Sequence, residues 1–177
     1  MTPPAEPAEP ADPGTPRPAL VAFAGSAVVY AAAWLVAYLE LPDRVPLHFG
    51  VGGGVDRWGE REDALITFAV LGIAMTALFA GVAYARIPTS MLNVPHKSWW
   101  TATPEREQRM RMMMREDGLR LGAVTLLFLA VALLLTVRAS ALAEPHLDAW
   151  FAVALGLYCV VMIGYTVYAY RARYRRD

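Results

Sequence analysis

The chain has 177 residues, 56% hydrophobic and only 18% charged, with 16 basic residues balanced by 16 acidic ones. That balance lacks the basic excess of a nucleic-acid binder, and so little polar surface cannot cover the apolar content of a soluble domain. The single cysteine, Cys159, lies in an apolar run and excludes a disulfide framework.

Residues 1–17 carry Pro at positions 3, 4, 7, 10, 13 and 16 with Ala, Glu and Asp between them. They have too little apolar surface to fold and are expected to form a disordered, extended cytoplasmic tail. They also lack the basic n-region of a signal peptide. Four uncharged apolar runs come next, at 18–39, 64–85, 121–137 and 149–170. A 22-residue run makes a helix about 33 Å long, enough for a hydrocarbon core of about 30 Å. The third run is shorter, but Arg120 and Arg138 flank it and can snorkel to the interfaces.

The predicted fold is therefore an all-α integral membrane protein with four transmembrane helices, at about 18–39, 64–85, 119–138 and 149–170. Residues 18–170 form one membrane domain, and 171–177 are a basic cytoplasmic tail. Small residues such as Gly25, Ala33, Gly72, Gly81, Gly156 and Gly164 fit a tightly packed bundle. The runs contain no Asp, Glu, Lys, Arg or His, which argues against a pump or a proton-coupled carrier.

With four spans, the N-terminal tail, the 86–120 segment and the C-terminal tail share one side and hold twelve of the 16 basic residues. Arg44, Arg57, Arg61 and Arg138 are on the other. The asymmetry predicts cytoplasmic termini and an outward loop over 41–61.

In the cytoplasmic segment, 86–103 reads as irregular chain at headgroup level, with Pro88, Pro95, Trp99 and Trp100. Thr103 before Pro104 is a helix start, reinforced by Glu105 and Glu107. Met110, Met113 and Met114 form one stripe and Arg106, Arg109, Arg111 and Arg115 fill much of the rest, so 104–117 is expected to be an interfacial amphipathic helix, running into the third span through Gly118, with the methionines facing bilayer or bundle. Its arginines would meet anionic lipid headgroups.

The outward loop is the densest pattern in the chain. Pro42 and Pro46 restrict the backbone, and Val45, Leu47 and Phe49 alternate with Pro46 and His48 as in an extended segment with one buried face. Gly50, Gly52, Gly53 and Gly54 allow a reversal, and the chain returns through Asp56, Arg57, Trp58 and Gly59. A short hairpin or extended pair resting on the helix ends is predicted, with Phe49 and Trp58 at the interface. His48 and Asp56 should face each other across the reversal, with the imidazole donating to the carboxylate. If shielded, that bond contributes about 1.5–3 kcal/mol. A zinc site completed by His146 is the competing arrangement, and His–carboxylate acid–base chemistry another, but no close-spaced ligand pair and no nearby nucleophile support them. No metal, cofactor or catalytic residue is assigned.

The order Leu41-Pro42, Val45-Pro46, His48-Phe49, Gly53, Asp56, Trp58-Gly59 resembles the bacterial domain of unknown function 1648, found in SdpI-like membrane proteins. Gly50 stands where that pattern commonly has Asn, and Arg61 where it usually ends in Lys. Asn93, Pro95, Lys97 and Trp100, followed by Pro104-Glu105-Arg106, look like a downstream motif of the same proteins. The resemblance implies a non-enzymatic membrane protein, related to an immunity protein against a secreted membrane-active peptide that also signals by sequestering a repressor. The expected partners are the lipid bilayer, a peptide ligand or membrane protein, or a second copy of the chain, with no nucleic acid. A small accessory subunit or passive permeation component is the alternative.

Overall fold

The computed structural model describes residues 17–50, 52–85, 87–146 and 149–176. The Pro-rich tail over 1–16 lies outside them. Helix α1 (Arg17–Glu40) leads into strands β1 (Arg44–Phe49) and β2 (Val55–Glu60), which continue directly into α2 (Arg61–Tyr84). A 3₁₀ turn (Thr89–Met91) and the single-turn helix α3 (Lys97–Trp100) precede α4 (Pro104–Ser140), and α5 (Ala149–Tyr168) ends in a π-helical turn (Ala169–Arg173). Arg17–Glu40, Arg61–Tyr84, Pro104–Ser140 and Ala149–Arg173 are each long and apolar enough to cross a membrane.

The main core joins α1, α2 and α4. Ala33, Ala37, Phe23 and Tyr30 from α1 meet Ala64, Leu65 and Ala83 from α2 and Leu119, Leu126 and Leu133 from α4. Close approach depends on two glycines. A Cβ on Gly72 would fall inside the Tyr30 ring, and one on Gly122 would lie 2.7 Å from both Phe23 and Phe79. The notch at Gly72 lets the Tyr30 hydroxyl donate to the Phe68 carbonyl at 2.6 Å, and one turn along α1 the Trp34 indole N–H donates to the Leu65 carbonyl at 3.0 Å. Both acceptors are main-chain carbonyls already engaged in a helix, so these bonds fix the rotation of α1 against α2 as well as their distance. Gly25, Gly81, Gly156 and Gly164, by contrast, face open space.

Residues 104–117 are helical and run on through Gly118 into the third span. They are the first part of α4, a single 37-residue helix about 55 Å long at 1.5 Å per residue. The start is as expected: Thr103 Oγ1 accepts from Arg106 N at 3.4 Å with Pro104 behind it. The passage through Gly118 into the third span is as expected too. Glu107–Arg111 and Glu116–Arg120 are i,i+4 ion pairs with the acid on the N-terminal side, the orientation that supports a continuous helix. The methionine stripe is covered by protein instead of lipid: Met110 is fully buried with Leu92, Val94, Trp100 and Tyr174, and Met113 and Met114 pack around them. Residues 87–103 thus form a cap on the first turns of α4.

Helix α5 is attached differently. None of its residues is buried, and it touches α4 and its own C-terminal turn. Tyr158 stacks on Phe128 at 4.5 Å between ring centres, and its hydroxyl lies 3.2 Å from Thr125 Oγ1. At the cap end, Asp117 accepts from Tyr165 at 2.6 Å and from Tyr174 at 2.7 Å. Arg173 bridges to Glu116 at 2.5 Å. Its Nε lies 2.7 Å from Asp117, but that N–H is not aimed along the line, so the contact is one of charge more than a formed hydrogen bond. Burial, and after it the charge of Asp117, raises the Tyr174 hydroxyl above the ordinary tyrosine range, so it remains a donor through neutral pH.

The Gly72 notch has a measurable consequence. Gly72→Ala should lower the thermal midpoint of the purified protein in lipid, by the equivalent of about 1–3 kcal/mol for overpacking. Gly25→Ala, into open space, should leave it unchanged or slightly raised, and equal midpoints for the two variants would contradict this packing.

Candidate functional site

The two motifs singled out in the sequence lie at opposite ends of the helices. Pro42, Pro46, His48, Phe49, Gly53, Asp56, Trp58 and Gly59 belong to the hairpin and its approach; Asn93, Pro95, Lys97 and Trp100 belong to the cap.

At the hairpin end the chain leaves α1 at Leu41, which is buried, and passes the exposed Pro42 into β1. Val45 and Pro46 are buried, Leu47 and Phe49 half-buried and His48 exposed, so the inward face is carried from Leu41 to Leu47 into the helical core. β1 and β2 pair antiparallel, with irregular register between Pro46 and Phe49. Gly59 is required there because a Cβ would collide with the Leu47 side chain. The reversal closes through Gly50 N–H to the Gly54 carbonyl and Gly53 N–H to the Gly50 carbonyl, both 2.8 Å, with Gly53 at φ 77°. A positive φ of that size favours glycine.

The reversal brings His48 Nδ1 to 2.6 Å from Asp56 Oδ1, the pairing read from the sequence. Its energetics differ from that reading. The side chains are 64% and 52% exposed, so water screens the pair and it contributes no more than about 1 kcal/mol. Arg57 joins them in lining an open cleft. Trp58 is exposed, with the Arg44 guanidinium 5.7 Å above its ring.

The base of the hairpin is fixed by Arg61. Its backbone N–H donates to the Asp43 carbonyl at 2.9 Å, its guanidinium donates to the Tyr38 carbonyl, and its charge lies 5.4 Å over the Tyr38 ring. One residue thereby ties the end of α1, the start of β1 and the start of α2.

His146 comes to the hairpin by its backbone. It forms an isolated antiparallel bridge with Gly54, while its ring Nδ1 lies 2.9 Å from the Glu144 carbonyl. Among the described residues no group of three His, Cys, Asp or Glu side chains is placed to hold a metal ion. The cleft offers an imidazole, a carboxylate and a guanidinium: hydrogen-bonding and charge recognition at a water-exposed surface.

In the cap, Asn93 is exposed and Pro95 half-buried. Lys97 Nζ donates to the Ser90 carbonyl at 2.8 Å, closing the cap loop. Trp100 is buried between Trp99 and Tyr174, both edge-on, and Arg106 lies 4.2 Å over Trp99. Of the motif, Trp100 belongs to the core of the cap. The sequence reading missed the Asp117–Arg173–Tyr165–Tyr174 cluster; the signal was present as an Asp-Gly and an Arg at the edges of two apolar runs, with tyrosines close by in the chain.

A double-mutant cycle on His48→Ala and Asp56→Ala should give a coupling below about 1 kcal/mol, whereas Gly59→Val should disrupt the hairpin, read as loss of protease resistance between α1 and α2. A large His48–Asp56 coupling would show that the pair is shielded after all.

Comparison with known proteins gives a local match. The family model described as "Domain of unknown function (DUF1648)" matches residues 25–73. An "Uncharacterized protein" of Archaeoglobus fulgidus is 48% identical over 50 residues, covering 27% of each chain. The match thus spans about a quarter of that relative's length. No solved structure matches. The matched segment runs from the middle of α1 through the hairpin to the middle of α2, and it contains Tyr30, Trp34, Leu65, Phe68 and Gly72 as well as the hairpin motif. Over residues 25–73 the chain carries a DUF1648 domain.

Proposed function

We propose that this chain is a non-enzymatic, SdpI-like multi-pass protein of the bacterial cell membrane whose outward hairpin binds a ligand, and that it acts in immunity to a membrane-active peptide or in envelope signalling. The observation that carries this reading is the exposed His48–Asp56 pair, set with Arg57 in an open cleft on a hairpin whose base is anchored in the helical core. Rigid support beneath exposed, convergent polar groups favours recognition. Exposed Trp58 adds an aromatic surface suited to a peptide side chain. The four long apolar helices support insertion, and the twelve basic residues on the cap side support cytoplasmic termini.

Two experiments test the proposal. In a Cys159→Ala background, Gly53→Cys should react with a membrane-impermeant thiol reagent on intact cells; labelling only after permeabilisation overturns the orientation. Expression in a sensitive strain should raise survival against at least one member of a panel of membrane-active peptides, and His48→Ala with Asp56→Ala should abolish that gain at unchanged protein level. Unchanged sensitivity across the panel overturns the immunity reading.

A further inference from the structure

We propose that residues 169–176 form a latch that holds α5 on α4 and makes its attachment depend on the cap over residues 87–103. Three observations converge on this segment. First, among the described residues α5 contributes nothing to the main core and touches α4 alone among the other helices. In lipid its apolar faces gain little by leaving hydrocarbon, so packing and polar contacts must hold it.

Second, the polar contacts concentrate at its end. Asp117 and Glu116 of α4 receive Tyr165, Arg173 and Tyr174, and Arg120 completes the charge on Glu116 at 2.5 Å. The Arg173 side chain is 14% exposed and Asp117 12%, so the cluster is shielded in a way that the hairpin pair is not. Removing one partner leaves a charge without compensation in a low-dielectric place, which is far costlier than losing a surface pair.

Third, the segment reaches beyond α5. The Tyr174 ring packs edge-on to Trp100 at 6.2 Å and belongs to the core of the cap, while its hydroxyl is bound to Asp117. Arg176 Nε donates to His96 Nδ1 at 2.9 Å, and His96 is held at φ 57° at the start of α3. One side chain, Tyr174, therefore serves two assemblies. A movement of the cap that withdraws its ring from Trp100 also withdraws its hydroxyl from Asp117 and opens the cluster.

The native Cys159, exposed on α5, allows a direct test with full-length protein in lipid nanodiscs. Spin labels on Cys159 and on Val28→Cys of α1 report the position of α5 against the core by pulsed dipolar spectroscopy. The wild-type background should give one narrow distance distribution. Arg173→Ala should broaden and shift it, Arg173→Lys should restore it in part, and Tyr174→Phe, which keeps the ring on Trp100, should have a smaller effect of the same kind. Trp100→Leu, which alters only the cap, should also broaden it. An unchanged distribution in folded Arg173→Ala overturns the latch; should that variant fail to fold, an unchanged distribution in Tyr174→Phe does so. Broadening by Arg173→Ala without any by Trp100→Leu overturns the coupling to the cap.

Discussion

The contact between Tyr30 and the backbone of α2 at Gly72 sets the geometry of the whole hairpin end of the molecule. Because the ring occupies the space of a missing side chain, its hydroxyl reaches the Phe68 carbonyl, and Trp34 meets Leu65 one turn nearer the hairpin. Two directional bonds along one seam leave the helices no freedom to slide. Their ends at Glu40 and Arg61 are then held at a separation that an antiparallel strand pair can bridge, and Arg61 closes that end by binding both Tyr38 and Asp43. The hairpin inherits its geometry from the helix pair beneath it. An isolated two-stranded hairpin in water is marginal.

From this base α4 builds the rest. It lies against α1 and α2 through Leu119, Leu126 and Leu133, extends past them to carry the cap, and offers Asp117 and Phe128 to α5. The protein thus contains two kinds of helix contact. One is a densely packed three-helix unit with small residues at the crossings; the other is a peripheral helix held at a few polar and aromatic points. The first suits a fixed scaffold and the second an element that can change position.

The sequence made the apolar helices and the hairpin legible because each has a strong local signature: uncharged length in one case, proline restriction followed by a glycine reversal in the other. The Thr103-Pro104 start was equally local. The His48–Asp56 pairing could be read because strand reversal places residues by register, but its exposure could not, since that depends on which helix ends lie nearby. What covers the methionine stripe stayed open between bilayer and bundle for a related reason. A stripe of methionines records that one face is covered and not by what; the cover proved to be Trp100, Leu92 and Tyr174, the last of them sixty-four residues beyond Met110. The Asp117 cluster likewise joins positions more than fifty apart in the chain, and periodicity carries no information at that range.

The limits of the matched segment gain meaning from the hairpin's dependence on its helices. Residues 25–73 start just before Tyr30 and end just after Gly72, so the segment includes both halves of the seam and stops where the seam stops. Leu41, Val45 and Leu47 place the inner face of the hairpin in the same core. The unit that the family model covers is therefore a surface loop together with the two half-helices whose seam sets its ends. The core beneath it is completed by Leu119, Leu126 and Leu133 of α4, so in this chain the segment keeps its shape beside a third helix.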